Sequence, residues 1–276
     1  MNASRWWPAP AKLNLFLHVT GRRPDGYHLL QTVFRFLDYG DRLRFTVRDD
    51  GVIRRTRSLP DVPEDVDLTV RAARLLQAES GSRLGADIEL DKRLPLGGGL
   101  GGGSSDAATT LVALNRLWAT GLDEDALAAL GLRLGADVPV FVRGRAAWAE
   151  GVGEVLTPVT LPESWYVVLC PPVHVTTAEV FGHPRLRRDC PPITIRDFLE
   201  GRATENVCEP LVRARHSEVD AALRALAEHG PARMTGTGAC VFAAFDSEAV
   251  ARQAWQTLQG HWPGFVARGI NEIVRN

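Results

Sequence analysis

The sequence predicts an α+β fold in two layered halves, residues 1–158 and 159–276, and three observations predict it. Stretches of strand period and of helix period are mixed along the whole chain, which points to sheets covered by helices in both halves. A run of glycines at 97–103 joins a strand-like segment to a helix with good capping residues. The stretch from Pro158 to Pro162 has two prolines and few long apolar residues, and it reads as the seam between the halves.

Taken in order, residues 11–19 alternate over most of their length and predict a strand. Leu13, Leu15, Leu17 and Val19 face one way; Lys12, Asn14, Phe16 and His18 face the other. The second face is partly polar and is expected to open onto a cleft or solvent. Pro24-Asp-Gly predicts a turn ahead of Tyr27 and His28. Residues 41–48 and 86–90 read as further strands. Residues 65–79 predict a helix with Leu68, Ala72, Leu75 and Leu76 on one face. A second helix is expected over 104–118, opened by Ser104, Ser105 and Asp106, and a third over 123–134 with Asp123 as its cap. Beyond the seam, 165–170 and 240–245 read as strands, 217–229 and 247–259 as helices. No internal repeat or low-complexity tract interrupts the pattern.

Composition excludes several classes of function. Hydrophobic residues make up 45% and charged residues 24%, and the formal net charge is −1, so no basic field marks a nucleic-acid or membrane binder. No apolar run approaches the ~18 residues that span a bilayer. The short basic clusters at Arg54, Arg55 and Arg57 and at Arg185, Arg187 and Arg188 read as solvated loops. Cys170, Cys190, Cys208 and Cys240 are far apart and form no Cys-x-x-Cys pair, which argues against a zinc or redox motif. The opening Met1-Asn-Ala-Ser-Arg-Trp-Trp-Pro lacks the apolar core of a signal peptide, and a cytoplasmic location with free thiols is expected.

The strongest chemical signal is Pro95-Leu96-Gly97-Gly98-Gly99-Leu100-Gly101-Gly102-Gly103-Ser104-Ser105. Glycines let backbone N–H groups wrap an anion without Cβ obstruction, and the helix N-terminus that follows adds unpaired donors and partial positive charge. Ser104 and Ser105 offer hydroxyls to phosphate or magnesium. A flexible linker would not be bracketed by an apolar strand and a capped helix. A dinucleotide fingerprint can be picked from six glycines cheaply, and the βαβ unit it needs is not evident. The Walker pattern fails, because no Gly-Lys-Ser/Thr follows.

Three motifs carry a family resemblance: Pro10-Ala-Lys-Leu-Asn-Leu followed by Arg23-Pro-Asp-Gly-Tyr-His; the glycine loop with Gly135-Ala-Asp-Val-Pro downstream; and Thr235-Gly-Thr-Gly-Ala-Cys-Val-Phe. With these, spanning residues 10–242, the sequence resembles the GHMP kinase superfamily, named for galactokinase, homoserine kinase, mevalonate kinase and phosphomevalonate kinase. Within it, Ala-Lys-Leu-Asn-Leu together with Asp-Gly-Tyr-His is similar to the branch that phosphorylates the 2-hydroxyl of a cytidine-diphosphate-linked sugar alcohol, the diphosphocytidyl methylerythritol of the non-mevalonate isoprenoid pathway. The resemblance implies an N-terminal ribosomal-S5-like α/β domain, a C-terminal ferredoxin-like α/β sandwich and an active site in the cleft between them. It implies ATP as co-substrate with Mg2+, small-molecule substrates only, no nucleic-acid or membrane partner, and a monomer or weak homodimer.

The resemblance also implies roles. Asp137 becomes the catalytic base and Lys12 the group beside it that polarises the nucleophile or the moving phosphoryl. Pro95 to Ser105, Lys92 and Asp67 fall on the ATP side. Asn14, Tyr27, His28, Thr177, Phe181, Gly236 and Gly238 fall on the acceptor side, Tyr27 stacking on cytosine and His28 bonding its edge. Blander readings stand beside these: Asp137 as a helix cap, Lys12 as a solvent-facing strand residue, Phe181 as a core residue, Gly236 and Gly238 as a tight turn. Two positions depart from the family pattern, Asp67 for Asn and Val140 for Phe. His18, His174 and His183 receive no role. Competing classes are a homoserine- or mevalonate-type kinase, which has no base to stack on Tyr27, a non-catalytic nucleotide-binding regulator, and a nucleotide-dependent oxidoreductase.

Overall fold

A computed structural model describes residues 5–60, 62–202 and 205–275; the first four residues of the segment considered above for a leader lie outside it. The strands are β1 (Trp7–Arg22), β2 (His28–Arg48), β3 (Ile53–Arg55), β4 (Gly85–Asp91), β5 (Ala147–Glu150), β6 (Val155–Pro158), β7 (Trp165–Leu169), β8 (Ala232–Met234), β9 (Val241–Phe245) and β10 (Gly264–Ile270). The helices are α1 (Leu68–Ser80), α2 (Gly102–Leu117), α3 (Glu124–Leu132), α4 (Val138–Arg143), α5 (Thr177–Gly182), α6 (Ile195–Leu199), α7 (Glu209–Arg215), α8 (Ser217–Ala227) and α9 (Glu248–Leu258).

The fold is α+β, organised on β2. That strand pairs antiparallel with β1, β4, β5 and β10, and the main path through the sheet runs β3-β4-β2-β10-β7-β9-β8. In the first half α1 and α2 bury Val70, Ala73, Leu76, Leu111 and Leu114 against Phe36, Phe45 and Ile88. In the second, α8 and α9 bury Val219, Leu223, Ala251 and Ala254 against Val167, Val241 and Phe245. Each face is covered because its apolar stripe removes surface from water, worth roughly 25 cal/mol per Å². Residues 269–275 cross back to the first half: Gly269 and Ile270 pair with Leu37 and Phe36, and the Ile273 amide donates to Gly144.

Helix boundaries follow their caps. α1 begins at Leu68 rather than 65 because the Asp67 carboxylate accepts the Thr69 amide, and it ends on Gly81 in the left-handed region. β1 contains register shifts against β2, one of them between Asn14 and Leu17. That bulge breaks the strict alternation expected for residues 11–19. Lys12 and Asn14 face the cleft as expected, but beyond the bulge Leu17 faces it, while Phe16 is buried in a cluster with Trp148 and Leu161.

The seam is held by a polar clamp. Arg35, in the middle of β2 and 1% exposed, donates to the carbonyls of Pro162 and Gly269 at 2.9 Å and to Asn271 Oδ1 at 2.6 Å. Asn271 in turn bonds the Leu161 backbone through both its oxygen and its nitrogen. A buried guanidinium is tolerated where its donors meet acceptors; here both terminal nitrogens do, while Nε has no partner among the described residues.

Candidate active site

A cleft of about 1090 Å³ lies between the halves. Its wall takes in Lys12 and Asn14 from β1, the turn at 25–28, the loop 95–104, Asp137, the start of α5 and Gly236–Gly238. Residues from more than six separate parts of the chain therefore meet in one volume.

The centre is an ion pair. Lys12 Nζ lies 3.2 Å from Asp137 Oδ2; the lysine side chain is 4% exposed and the aspartate side chain 34%. Asp137 occupies the N-cap position of α4 but makes no capping hydrogen bond, so its carboxylate is turned to the cleft instead of to its own helix. Lys12 also donates to Asn14 Oδ1 and sits over the Phe34 ring. Asn14 Nδ2 donates to Thr32 Oγ1 at 2.9 Å, and the Asn14 amide to Thr235 Oγ1 at 3.0 Å. Both ends of the Asn14 amide are thus engaged within the protein, which makes it a support for Lys12 as well as a cleft residue.

The glycine loop is pegged at Leu100, which is buried with Leu13, Leu37 and Phe242 and whose carbonyl accepts the Lys12 amide at 2.9 Å. On either side of the peg the backbone is left-handed, Gly99 at φ +76° and Gly101 at φ +71°. A Cβ on Gly101 would lie 2.9 Å from the Phe141 ring and 3.0 Å from Lys12 Cγ, so both conformation and space call for glycine. The second glycine turn is stitched to the first. Thr235 Oγ1 donates to the Gly99 carbonyl at 3.3 Å and the Cys240 amide to that of Gly98 at 3.1 Å. Asn206, which sequence reasoning missed, holds the same turn through bonds of 2.8 Å to the Met234 and Gly236 carbonyls.

Beside the glycine loop, Lys92 Nζ is clamped by Asp41 at 2.6 Å and Asp106 at 2.7 Å. Burial pushes the Asp106 carboxyl up to about 8, aided by the charge of Asp41 and opposed by Lys92. Burial also disfavours the Lys92 charge, but the two carboxylates outweigh it and raise its pKa. Ser104 lines the cleft; Ser105 is fully buried and its hydroxyl finds no partner among the described residues. Asp67 is buried too, bonded to Thr69 and to Arg55 at 2.9 Å, and it is Leu68 beside it that reaches the cleft wall. Val140 sits in the first core next to Phe141, a packing position.

At the 25–28 turn, Tyr27 is 63% exposed, and the turn is held by the Asp25 carboxylate accepting the Tyr27 amide at 3.1 Å. His28 and Phe181 stack with ring centroids 5.0 Å apart and an interplanar angle of 23°. Phe181 both lines the cleft and packs against the second core. The hydroxyls of Thr177 and Thr237 lie 3.2 Å apart.

Two arginines depart from the expectation of solvated loops. Arg55 is buried against Asp67, and Arg188 donates to His28 Nε2 at 2.9 Å. Each finds a partner far away in sequence, 12 and 160 positions off, so nothing in the local pattern marked it. Among the described residues no group of three or more His, Cys, Asp or Glu side chains is placed to hold a metal ion, and no helix is long and apolar enough to cross a membrane.

Comparison with known proteins agrees with this geometry. Residues 67–145 match the GHMP kinases N terminal domain and residues 195–264 the GHMP kinases C terminal domain. The chain is 64% identical over 270 residues to the 4-diphosphocytidyl-2-C-methyl-D-erythritol kinase of Alkalilimnicola ehrlichii, covering 98% of this chain and 92% of that one. It is 60% identical over 267 residues to the same kinase of Halorhodospira halophila, covering 96% and 92%. A crystal structure of 4-(cytidine 5'-diphospho)-2C-methyl-D-erythritol kinase superposes with a TM-score of 0.82 at 34% identity, covering 96% of this chain and 98% of that one. Homoserine kinase from Cytophaga hutchinsonii, at 18% identity, shares the fold with a TM-score of 0.72 over 99% of this chain and 96% of its own. Matched in both halves, and this similar over nearly its whole length, the chain belongs to the 4-diphosphocytidyl-2-C-methyl-D-erythritol kinase family of the GHMP kinases.

Proposed function

We propose that this kinase moves the γ-phosphoryl group of ATP onto the 2-hydroxyl of 4-diphosphocytidyl-2-C-methyl-D-erythritol through the Lys12–Asp137 pair. The observation that carries the mechanism is that pair, with the lysine buried and the aspartate open to the cleft. Asp137 takes the proton of the acceptor hydroxyl as its oxygen bonds to phosphorus. The bond from phosphorus to the bridging oxygen breaks, and that electron pair leaves on ADP. Lys12 offsets the charge that spreads over the phosphoryl oxygens, and Asn14 and Phe34 hold it in place for this. Amides of the loop 97–103 and the N-terminus of α2 cradle the ATP phosphates. Magnesium would arrive with ATP as counter-ion to its phosphates, since among the described residues no group of three or more His, Cys, Asp or Glu side chains could hold it alone. Tyr27, His28 and Phe181 take the cytosine base, an exposed aromatic beside a stacked pair being otherwise without a packing purpose.

The test is ATP consumption across four acceptors: the cytidyl erythritol, homoserine, mevalonate and galactose. Turnover with the cytidyl compound alone is expected. Turnover with homoserine or mevalonate at a comparable kcat/KM would move the chain to another branch of the superfamily.

A further inference from the structure

The contacts of Arg188 settle the protonation of a ring in the acceptor pocket. Its two terminal nitrogens donate to three backbone carbonyls: Leu186 at 3.0 Å, Phe181 at 2.8 Å and His183 at 2.9 Å. With the fork held on those carbonyls, the remaining Nε proton points at His28 Nε2, 2.9 Å away. A guanidinium has no lone pair to offer, so Nε2 must be the acceptor and the single proton of a neutral imidazole must sit on Nδ1. Burial first, then the charges of Arg188 and Arg22, hold the His28 pKa below its ordinary value, so the ring stays neutral. His28 is also fixed in plane by its stack on Phe181, whose carbonyl is one of those that anchor Arg188. The segment 181–188 thus orients the ring and chooses its tautomer together.

We propose that Arg188 is a positioning residue that sets His28 as a hydrogen-bond donor through Nδ1 and thereby selects cytosine over uracil. The proposal rests on the cytidine reading given above. Cytosine offers an acceptor at N3, whereas N3 of uracil carries a proton, and two donors facing each other leave both unpaired. The opposite tautomer would present a bare Nδ1 and invert the preference. Arg188 itself need not touch the ligand.

Two measurements test this. Nitrogen-15 NMR of histidine-labelled protein reads the tautomer without any substitution; a protonated Nδ1 and bare Nε2 on His28 are expected, and the reverse would overturn the proposal. Steady-state kinetics then compare the cytidyl substrate with its uridyl analogue for the wild type, Arg188→Met and Arg188→Lys. Arg188→Met, which keeps bulk but donates nothing, is expected to raise the KM for the cytidyl substrate about tenfold and to narrow its advantage over the uridyl analogue by a similar factor, the worth of one hydrogen bond left unmade. kcat and the KM for ATP are expected to stay within about twofold, since the base is remote from the reacting hydroxyl. Arg188→Lys, which retains a donor, is expected to recover part of the discrimination. An unchanged cytidyl-to-uridyl ratio in Arg188→Met, or an equal fall in every parameter, overturns the role. A wild type that does not discriminate between the two bases would overturn the selection, whereas absence of turnover with the cytidyl substrate would overturn the cytidine reading itself.

Discussion

Two side chains of the cleft wall and one buried near it make separable predictions. Asp137 has no capping duty, so Asp137→Asn is expected to leave the fold and ATP binding intact while turnover falls ~10²–10⁴-fold, the usual worth of general acid–base catalysis. Retention of more than a tenth of normal turnover, with ATP affinity checked by calorimetry, would remove Asp137 from the role. Tyr27 contributes a ring face, so Tyr27→Ala is expected to cost about 1–3 kcal/mol in acceptor KM and Tyr27→Phe almost nothing, with the KM for ATP unmoved. Asp106 makes a prediction about pH. Its carboxyl is raised to about 8, so between about pH 4 and that value the folded chain holds a proton that the unfolded chain has released. Stability therefore falls as pH rises through this window. Asp106→Asn cannot ionise and is expected to flatten the fall, as read from urea midpoints taken between about pH 5 and 9. Equal slopes for the two proteins would mean that Asp106 is ionised in the fold.

At the scale of elements, the glycine loop is the most demanding segment. Gly101→Val adds a branched Cβ against Phe141 and Lys12 in a left-handed backbone, and a much weaker ATP affinity with a smaller loss of acceptor binding is expected. Parallel losses of both by calorimetry would point to unfolding instead. This loop, the strand carrying Lys12 and the helices after Asp67, Asp123 and Ser247 were legible in the sequence because each is written in local chemistry: glycines, caps and a period. Residues 28–40 were not read as strand, although they form the first part of β2. A strand with neighbours on both edges and cover on both faces carries no alternation, and Phe34, Arg35, Phe36 and Leu37 are all buried. β10 was missed because Gly264, Gly269 and Arg268 dilute its apolar character. Arg188, Asn206 and Thr235 act on partners supplied by distant segments, and no one-dimensional pattern reports that.

The whole molecule hangs on the Arg35 clamp. Arg35→Met would strand the carbonyls of Pro162 and Gly269 and leave Asn271 Oδ1 with the Leu161 amide alone, and a loss of about 2–5 kcal/mol is expected from the penalty of unpaired buried acceptors. Urea denaturation followed in both halves would register it as an earlier midpoint throughout; a shift confined to one half would show that the clamp does not join them. A cut at residue 158 divides the sequence but not the space, since residues 269–275 complete the first half. On the ribosome this ordering has a cost in time. Leu37 is translated more than 200 residues before its partner Gly269, and at roughly 5–20 residues per second it waits on the order of ten seconds or more. Until then the stretch of β2 at Phe36 and Leu37 is an open strand edge, Arg35 lacks the Gly269 carbonyl, and the nascent chain offers a short pairing template. A chain cut before β10 keeps Lys12, the glycine loop and Asp137 but leaves that edge open, and it is expected to aggregate without turning over substrate, as light scattering beside an ATP-consumption assay would read.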